Sequence, residues 1–292
     1  MLWVLLPSPV SAQAPFYTDD TGVTEPGTLH VEASDEFDGL QATQYPDLRQ
    51  NTANLKVNVG LPHGFELDVD APYITIERPY GTRSSRGIGD TNLGVKWRLP
   101  EASTASHLPA FAVSFYTEFP TGDTRQELGS GLIDYWLNLI AQVPVSERTR
   151  FNVNLGVLFA GNTSTGVVGI ETRRGRVYVG GLSVVHDFSP HLTIGTEVFG
   201  AMADTNGLNR TQLQTMLGAQ YAIRDGMAVY CGLIAGAYSA SPRMGGQIGI
   251  TLDFPHFFDL PHHSPSNRAA TDLAGGGRPQ THTLTPGVPD DL

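Results

Sequence analysis

Apolar and polar residues alternate along most of the chain between Thr28 and Phe254. The segment GGQIGITLDF, residues 245–254, shows the pattern clearly, because its apolar side chains fall on every second position: Ile248, Ile250, Leu252 and Phe254. A period of two residues indicates a β-strand with one face in an apolar medium and the other in a polar one. The apolar medium could be a protein core or lipid.

The alternation predicts about twelve strands, and helical periodicity is nearly absent. The predicted strands are 28–40, 52–61, 65–77, 88–99, 108–119, 132–143, 149–160, 175–187, 191–202, 211–222, 227–238 and 244–254. Most of them exceed the five to six residues typical of globular sheets and match tilted strands that cross a bilayer.

The connections between the predicted strands alternate between short turns and longer loops. The short turns are 62–64, 146–148, 189–190 and 224–226, with 100–107 as a longer exception, and the loops are 41–51, 78–87, 120–131, 161–174, 203–210 and 239–243. Outer-membrane barrels have short periplasmic turns and longer external loops. A spanning sheet must also close, because an open edge would leave backbone groups unpaired in hydrocarbon. We therefore predict an all-β, transmembrane, antiparallel up-and-down β-barrel over 28–254 with both termini in the periplasm.

The composition agrees with a barrel in the bacterial outer membrane. Charged residues make up 16% of the 292 residues, against about 25% in soluble domains, and no apolar run reaches the length of a spanning helix. The formal net charge of -11 disfavours a nucleic-acid partner, because phosphate binding requires a basic surface. Cys231 is the single cysteine, so no internal disulfide can form.

The two ends of the chain differ from the barrel. Residues 1–14 resemble the remnant of a secretory signal peptide, with cleavage before Gln13 or after Ala14. Residues 15–27 form an N-terminal segment without a predicted role. Residues 255–292 are rich in Pro, Gly, His, Ser and Thr and predict a disordered periplasmic tail. The tail histidines are irregularly spaced and lack nearby carboxylates, so we expect no metal site and no cofactor.

Charged residues on the polar face of the second and third predicted strands pair in register. A hairpin that turns at 62–64 would place Lys56 opposite Asp70 and Asn58 opposite Asp68. Cross-strand pairs of opposite charge stabilise a sheet by about 0.2–1 kcal/mol each. These side chains are expected to face the lumen.

The fourth predicted strand extends this arrangement into a charge lattice. If the next hairpin is symmetric about its external loop, Arg98 lies near Glu66 and Lys96 near Asp68. Two interpretations of the lattice are open: a structural network that fixes register, or a polarised pore wall that sets solute preference. Its predicted members are Lys56, Glu66, Asp68, Asp70, Lys96 and Arg98.

Several further residues are candidates for the lumen or the external rim. Glu118, Asp134 and Glu197 fall on polar faces without evident partners. The run 173–176 contains three arginines that could bind anionic lipopolysaccharide, although a solvated loop explains them equally well.

The last predicted strand resembles the β-signal that the barrel assembly machinery recognises in outer-membrane proteins. The residues that carry this resemblance are Gln247, Gly249, Leu252 and Phe254. In the usual pattern the signal ends the chain, whereas here a tail follows it.

A second resemblance rests on two motifs, GIGDTNLGVKWRL at 87–99 and FPTGD at 119–123. Together they resemble the phenol meta-pathway degradation (MetA-pathway) family of outer-membrane channels over roughly Thr28 to Phe254. The resemblance implies a transport barrel for small solutes, including aromatic or hydrophobic compounds. It carries over no catalytic residue.

Three functional interpretations follow from these observations. The first is an outer-membrane channel or transporter for small solutes, and the second is a non-conducting structural or partner-binding barrel. A soluble β-sandwich or a lipid-carrying barrel is the third, and the polar character of the second face disfavours it. Histidines lie mainly near the predicted periplasmic turns and are not coupled to a nucleophile motif, so we expect no enzyme.

Overall fold

The computed structural model describes residues 14–99, 108–160, 174–203 and 211–258, so most of the predicted signal remnant and most of the predicted tail lie outside the described residues. Within these ranges the chain forms thirteen strands. They are β1 (Leu29–Gly39), β2 (Arg49–Leu61), β3 (Phe65–Glu77), β4 (Ser85–Ile88), β5 (Thr91–Arg98), β6 (Ala110–Phe119), β7 (Asp134–Ser146), β8 (Thr149–Ala160), β9 (Gly175–Asp187), β10 (Leu192–Ala203), β11 (Thr211–Arg224), β12 (Met227–Ala237) and β13 (Met244–Phe254). Short 3-10 turns occur at Ala42–Gln44, Pro62–Gly64 and Thr124–Gln126.

The strands form one antiparallel sheet that closes on itself. Strand β1 pairs with β2 on one side and with β13 on the other, which joins the first and last strands. Strands β4 and β5 both pair with β3, one after the other, and together they fill a single strand position in the barrel. The thirteen strands therefore occupy twelve positions around the barrel. The prediction of a closed up-and-down barrel with about twelve strands is confirmed.

The predicted strand 88–99 is interrupted, and this is the main correction to the predicted strands. Strand β4 pairs with the outer half of β3, where Tyr73 is opposite Ile88. Strand β5 pairs with the inner half, where Asp70 is opposite Asn92. The connection at residues 89–90 shifts the register by one residue, and the Gly89 N–H donates to the Pro72 carbonyl at 2.9 Å.

The outer face of the barrel is apolar. Leu55 is 50% exposed and Ile248 is 61% exposed, and both belong to the predicted apolar face. No second sheet covers these side chains in the described part of the chain, so the β-sandwich interpretation is wrong. Aromatic side chains at strand ends are also exposed, as belts at the membrane interfaces require: Tyr73, Phe119, Tyr135, Phe159, Tyr221 and Phe254. Among the described helices, none is long or apolar enough to cross a bilayer.

Candidate functional site

The lumen of the barrel is lined by buried polar side chains from alternate positions of the strands. They include Asn58, Glu66, Asp68, Lys96, Ser114, Glu118, Asp134, Asn152, Ser183, Glu197, Gln212 and Gln214. In a soluble barrel of this kind the interior would be apolar. The polar and apolar faces predicted from the alternation are therefore oriented inward and outward as an outer-membrane barrel requires.

The residues that precede β1 occupy the lumen, a feature that the sequence did not predict. We call residues 14–28 the lumenal segment. Its last residue, Thr28, directly precedes β1, and the Thr28 carbonyl accepts the Gly60 N–H of β2 at 3.1 Å. Towards its N-terminal end the segment reaches β3, where the Thr24 N–H donates to a Glu66 carboxylate oxygen at 2.5 Å. The segment thus crosses the inside of the barrel instead of extending away from it.

The far part of the lumenal segment is held by Glu197 on β10. The Glu197 carboxylate accepts hydrogen bonds from the backbone N–H groups of Tyr17 at 3.1 Å and Thr18 at 2.8 Å. The Tyr17 hydroxyl donates to Glu36 Oε2 on β1 at 2.6 Å. Burial, reinforced by the nearby Glu36 carboxylate, raises the pKa of Tyr17 well above its ordinary value, so its hydroxyl remains a donor.

Glycines on the barrel wall give the lumenal segment its space. A methyl group added at Gly218 would lie 2.4 Å from Pro15 Cγ, and one added at Gly60 would lie 2.0 Å from the Glu25 carbonyl oxygen. The same close approach occurs at Gly181, next to Thr18, and at Gly195, next to the Phe16 ring. Larger residues at these positions would displace the segment.

The middle of the lumenal segment binds Lys96 on β5. The Lys96 ammonium donates to Asp19 Oδ1 at 2.8 Å and lies 4.0 Å from Asp20 Oδ1. Burial raises the pKa of Asp20, although the Lys96 charge opposes that shift. Lys96, the member of the charge lattice on β5, therefore anchors the lumenal segment.

The predicted register of β2 and β3 is confirmed. Lys56 lies opposite Asp70 and Asn58 opposite Asp68, as the turn at Pro62–Gly64 implied. In that turn His63 has φ 65° and Gly64 has φ 78°, a left-handed conformation that reverses the chain within three residues.

The predicted register between β3 and the following strand is wrong by two residues. Lys96 lies opposite Glu66, not Asp68, and Asp68 faces Gly94. The external hairpin is not symmetric about 78–87, because β4 begins at Ser85 and is followed by the irregular connection to β5. Arg98 is consequently exposed at the turn end of β5 and is not among the residues that line the lumenal cavity described below.

Asp68 has a partner that the sequence did not suggest. The Tyr116 hydroxyl on β6 donates to Asp68 Oδ2 at 2.8 Å. Its ring lies across Gly94 of the intervening strand, where an added methyl group would be 2.1 Å from the ring atoms. A second tyrosine repeats the arrangement, because Tyr230 crosses Gly249 and hydrogen-bonds Glu32.

The other predicted lumen acids are all buried, and each has a partner; that of Glu118 is the Trp136 indole N–H. Glu197 holds the lumenal segment, and Asp134 accepts a hydrogen bond from Arg174 at 3.3 Å. Glu118 lies opposite Asp134 in the register of β6 and β7. Arg174 belongs to the predicted arginine run, and Arg173 lies outside the described residues.

A cavity of about 360 Å³ lies in the lumen, and we call it the outer chamber. The lumenal segment contributes Phe16, Tyr17 and Asp19 to its lining. One part of its wall is charged and includes Glu32, Lys56 and Asp70. Another part is apolar and is formed by Tyr116, Trp136, Val179 and Phe199. These side chains belong to, or pack against, a buried cluster that also contains Leu158, Val177 and Ala201. The chamber is therefore amphipathic.

The loop after β6 folds against the external end of the chamber. Asp90 Oδ1 accepts the Gly122 N–H at 2.9 Å, and Asp90 Oδ2 accepts the Ser130 N–H at 2.7 Å, so one carboxylate holds both ends of the loop. Between them Leu128 is buried against Leu40, Ile74 and Ile76. This loop carries part of the FPTGD motif, which gives that motif a structural role.

An arginine joins three external loops above Leu128. Arg78 donates to Asp47 Oδ1 and to Glu127 Oε2, both at 2.5 Å, and to the Ser85 hydroxyl at 3.0 Å. No local sequence pattern predicts this contact, because the residues that form it come from separate loops.

The residues of the predicted assembly signal all lie on β13. Gln247 is among the residues that line the outer chamber, and Phe254 is exposed at the turn end. Gly249 provides the space for Tyr230, as described above. Beside them, His30 Nδ1 on β1 lies 2.5 Å from Asp253 Oδ1, a contact that links the first and last strands.

Solved structures with the same fold define the class of this protein. It is similar to the COG4313 outer membrane channel from Pseudomonas putida F1, with 13% identity over 80% of this chain and 97% of that chain and a TM-score of 0.60. It is also similar to the NanC porin, with 12% identity over 77% of this chain and 98% of that chain and a TM-score of 0.52. A third similar structure is the translocator domain of the autotransporter NalP from Neisseria meningitidis, with 13% identity over 77% of this chain and 88% of that chain and a TM-score of 0.50. The fold is that of an outer-membrane β-barrel, and the protein is located in the outer membrane.

The family is defined by sequence. Residues 18–254 match the family described as "Putative MetA-pathway of phenol degradation", and the chain belongs to that family. The resemblance inferred from the two motifs is therefore confirmed. The match begins at Thr18, so it includes most of the lumenal segment. No curated protein matches the sequence.

Proposed function

We propose that this protein is a channel for small solutes, including aromatic or hydrophobic compounds, and that the lumenal segment narrows its passage. The observation that carries the proposal is the outer chamber. A cavity of about 360 Å³ accommodates one small molecule. Its charged and apolar walls offer both hydrogen bonds and apolar contact to such a solute.

The charge lattice has two roles in this proposal. Lys96 anchors the lumenal segment through Asp19, whereas Lys56 and Asp70 remain on the wall of the outer chamber. Asp68 is held by Tyr116 and Glu66 by Thr24, so these acids position other parts of the lumen. The lattice thus supports both the barrel and the passage.

A second candidate is a non-conducting structural or partner-binding barrel. The observation that favours it is the lumenal segment itself, which contacts the wall from β2 to β11 and occupies the lumen. A segment that never moves would block solutes in the same way as a permanent plug.

In either case the proposal assigns no catalysis and no cofactor. The His30–Asp253 pair resembles part of a catalytic triad, but it bridges the seam where the barrel closes, and we assign it a structural role. We also propose that β13 is read by the assembly machinery and that Arg174, which is 43% exposed, meets lipopolysaccharide at the rim.

Liposome swelling tests the proposal. Vesicles that contain the full chain should swell faster in arabinose than in the larger sugar stachyose, and vesicles with heat-denatured protein should swell in neither. Swelling no faster than in protein-free vesicles would support the non-conducting alternative.

A further inference from the structure

Carboxylates outnumber ammonium groups around the outer chamber. Its acidic lining residues are Asp19, Glu32, Glu36, Glu66, Asp70, Asp90 and Glu118, and its lysines are Lys56 and Lys96. Lys96 is paired with Asp19, and Lys56 lies between Glu32 and Asp70 in the registers of β1, β2 and β3. Among the described residues, no lysine or arginine forms an ion pair with Glu36 or Glu118.

The excess of negative charge is greatest beside Glu36. The next lumen-facing residue on β1 is Asp38, and the two carboxyl groups lie within hydrogen-bonding distance of each other. Asp38 is 3% exposed, and its Oδ1 atom has no hydrogen-bond partner within the described part of the chain. Two adjacent buried carboxyl groups require a shared proton or a cation, because both cannot carry an unbalanced charge without a large cost.

Aromatic rings line the same chamber. Tyr17, Tyr116, Trp136 and Phe199 all contribute to its wall, together with the apolar side chains of Ile140 and Val179. The face of an aromatic ring attracts a cation, and an organic cation also gains from apolar contact. An anion would meet the uncompensated carboxylates and gain little from the rings.

We propose that the outer chamber binds organic ammonium cations that carry an apolar group, and that it excludes organic anions of the same size. The inference rests on the proposed function, since the chamber is treated as part of a solute pathway. The ammonium group would lie beside Glu36, the member of this carboxyl pair that lines the chamber, and the apolar group would contact the aromatic wall.

Calorimetric titration of the full chain in a nonionic detergent tests this inference with two probes of similar size. Benzyltrimethylammonium should bind, and benzenesulfonate should not bind measurably. The double variant Glu36→Gln/Asp38→Asn should bind the ammonium probe at least tenfold more weakly than the wild type. The variant Glu118→Gln should bind the same probe several-fold more weakly. Because the variants remove repulsion between carboxylates, they should fold, which their heat-dependent mobility on gels would verify.

A matched control uses two carboxylates in exposed periplasmic turns. The double variant Glu147→Gln/Asp225→Asn makes the same chemical change outside the lumen and should bind like the wild type. Equal affinity for the two probes, or binding unaffected by the Glu36 and Asp38 changes, would overturn the inference. Binding in micelles does not depend on passage across a membrane, so failure here is distinguishable from failure of the swelling experiment.

Discussion

The backbone N–H of Thr18 donates to the Glu197 carboxylate at 2.8 Å, across 179 positions of sequence. The same carboxylate accepts the Tyr17 N–H, so one side chain on the barrel wall satisfies two donors of the lumenal segment. Hydrogen bonds to a charged group contribute about 1.5–3 kcal/mol each. This contact makes Glu197 the principal anchor of the far end of the segment.

Glu197→Ala should release that end of the lumenal segment. Without the carboxylate, the two N–H groups lose their acceptor, and their amide hydrogens should exchange with solvent at least tenfold faster, since about 1.4 kcal/mol corresponds to a factor of ten. Hydrogen–deuterium exchange followed by mass spectrometry measures this directly. Glu147→Ala, in an exposed turn, is the control and should leave exchange at residues 17–18 unchanged. Unchanged exchange in Glu197→Ala would contradict the assigned anchor.

The position of the lumenal segment can be tested by a disulfide. A Cβ atom built at Gly181 lies 3.4 Å from Thr18 Cβ, close to the separation that a disulfide requires. Thr18→Cys with Gly181→Cys, in a Cys231→Ser background, should therefore form a cross-link under oxidising conditions, as detected by mass spectrometry. Moving the second cysteine to Gly180, which faces the other side of β9, should prevent it. Cross-linking at both positions, or at neither, would show that the segment lies elsewhere.

The Tyr116 ring depends on the absence of a side chain at Gly94. Gly94→Ala places a methyl group 2.1 Å from the ring, so the ring must leave Asp68. Overpacking of this kind costs about 1–3 kcal/mol, and the free energy of unfolding from urea titrations in lipid vesicles should fall by that amount. At Gly180 an added methyl group meets only ordinary contacts, beginning at 3.6 Å, and Gly180→Ala should change stability much less. An equal loss of unfolding free energy in the two variants would contradict the claim that Gly94 provides the space for the Tyr116 ring.

Asp90 should control the order of the external loop at 120–131. Asp90→Ala removes the acceptor of both the Gly122 and Ser130 N–H groups, and we expect their exchange to accelerate by at least tenfold. Asp123→Ala is a useful comparison, because Asp123 accepts the Arg125 N–H within the same loop on its exposed surface. Only the turn at Thr124–Gln126 should respond to that change. If Asp90→Ala left the Gly122 and Ser130 amides protected, the loop would be held by Leu128 alone.

The strands and their faces could be predicted because the barrel obeys one local rule. Every second side chain meets lipid, so alternation alone located the strands, and the tight turn at Pro62–Gly64 set the pairing of Lys56 with Asp70. The register beyond β3 could not be obtained in this way. It depends on where the external loop turns, since Ile76 lies opposite Ser85, and on the one-residue shift at 89–90, and neither is visible in an apolar pattern.

The contents of the lumen were the part that sequence patterns could not reveal. The lumenal segment has no periodicity, because each of its residues meets a different strand, and its contacts span most of the chain. A partial signal was present in Glu197, an acidic lumen candidate for which no partner was evident among the strands. The glycines at 60, 181, 195 and 218 were a second signal, since an inward-facing glycine leaves space for another backbone.

Planar-bilayer recording tests the central claim, that the barrel is a solute passage narrowed by its own N-terminal residues. Full-length protein should show small single-channel conductance, and a variant that lacks residues 14–24 should conduct several-fold more, because it loses the contacts with Glu66, Lys96 and Glu197. Both proteins must first show the heat-dependent gel mobility of a folded barrel. Equal conductance in the two folded proteins, or none in the shortened one, would contradict the account.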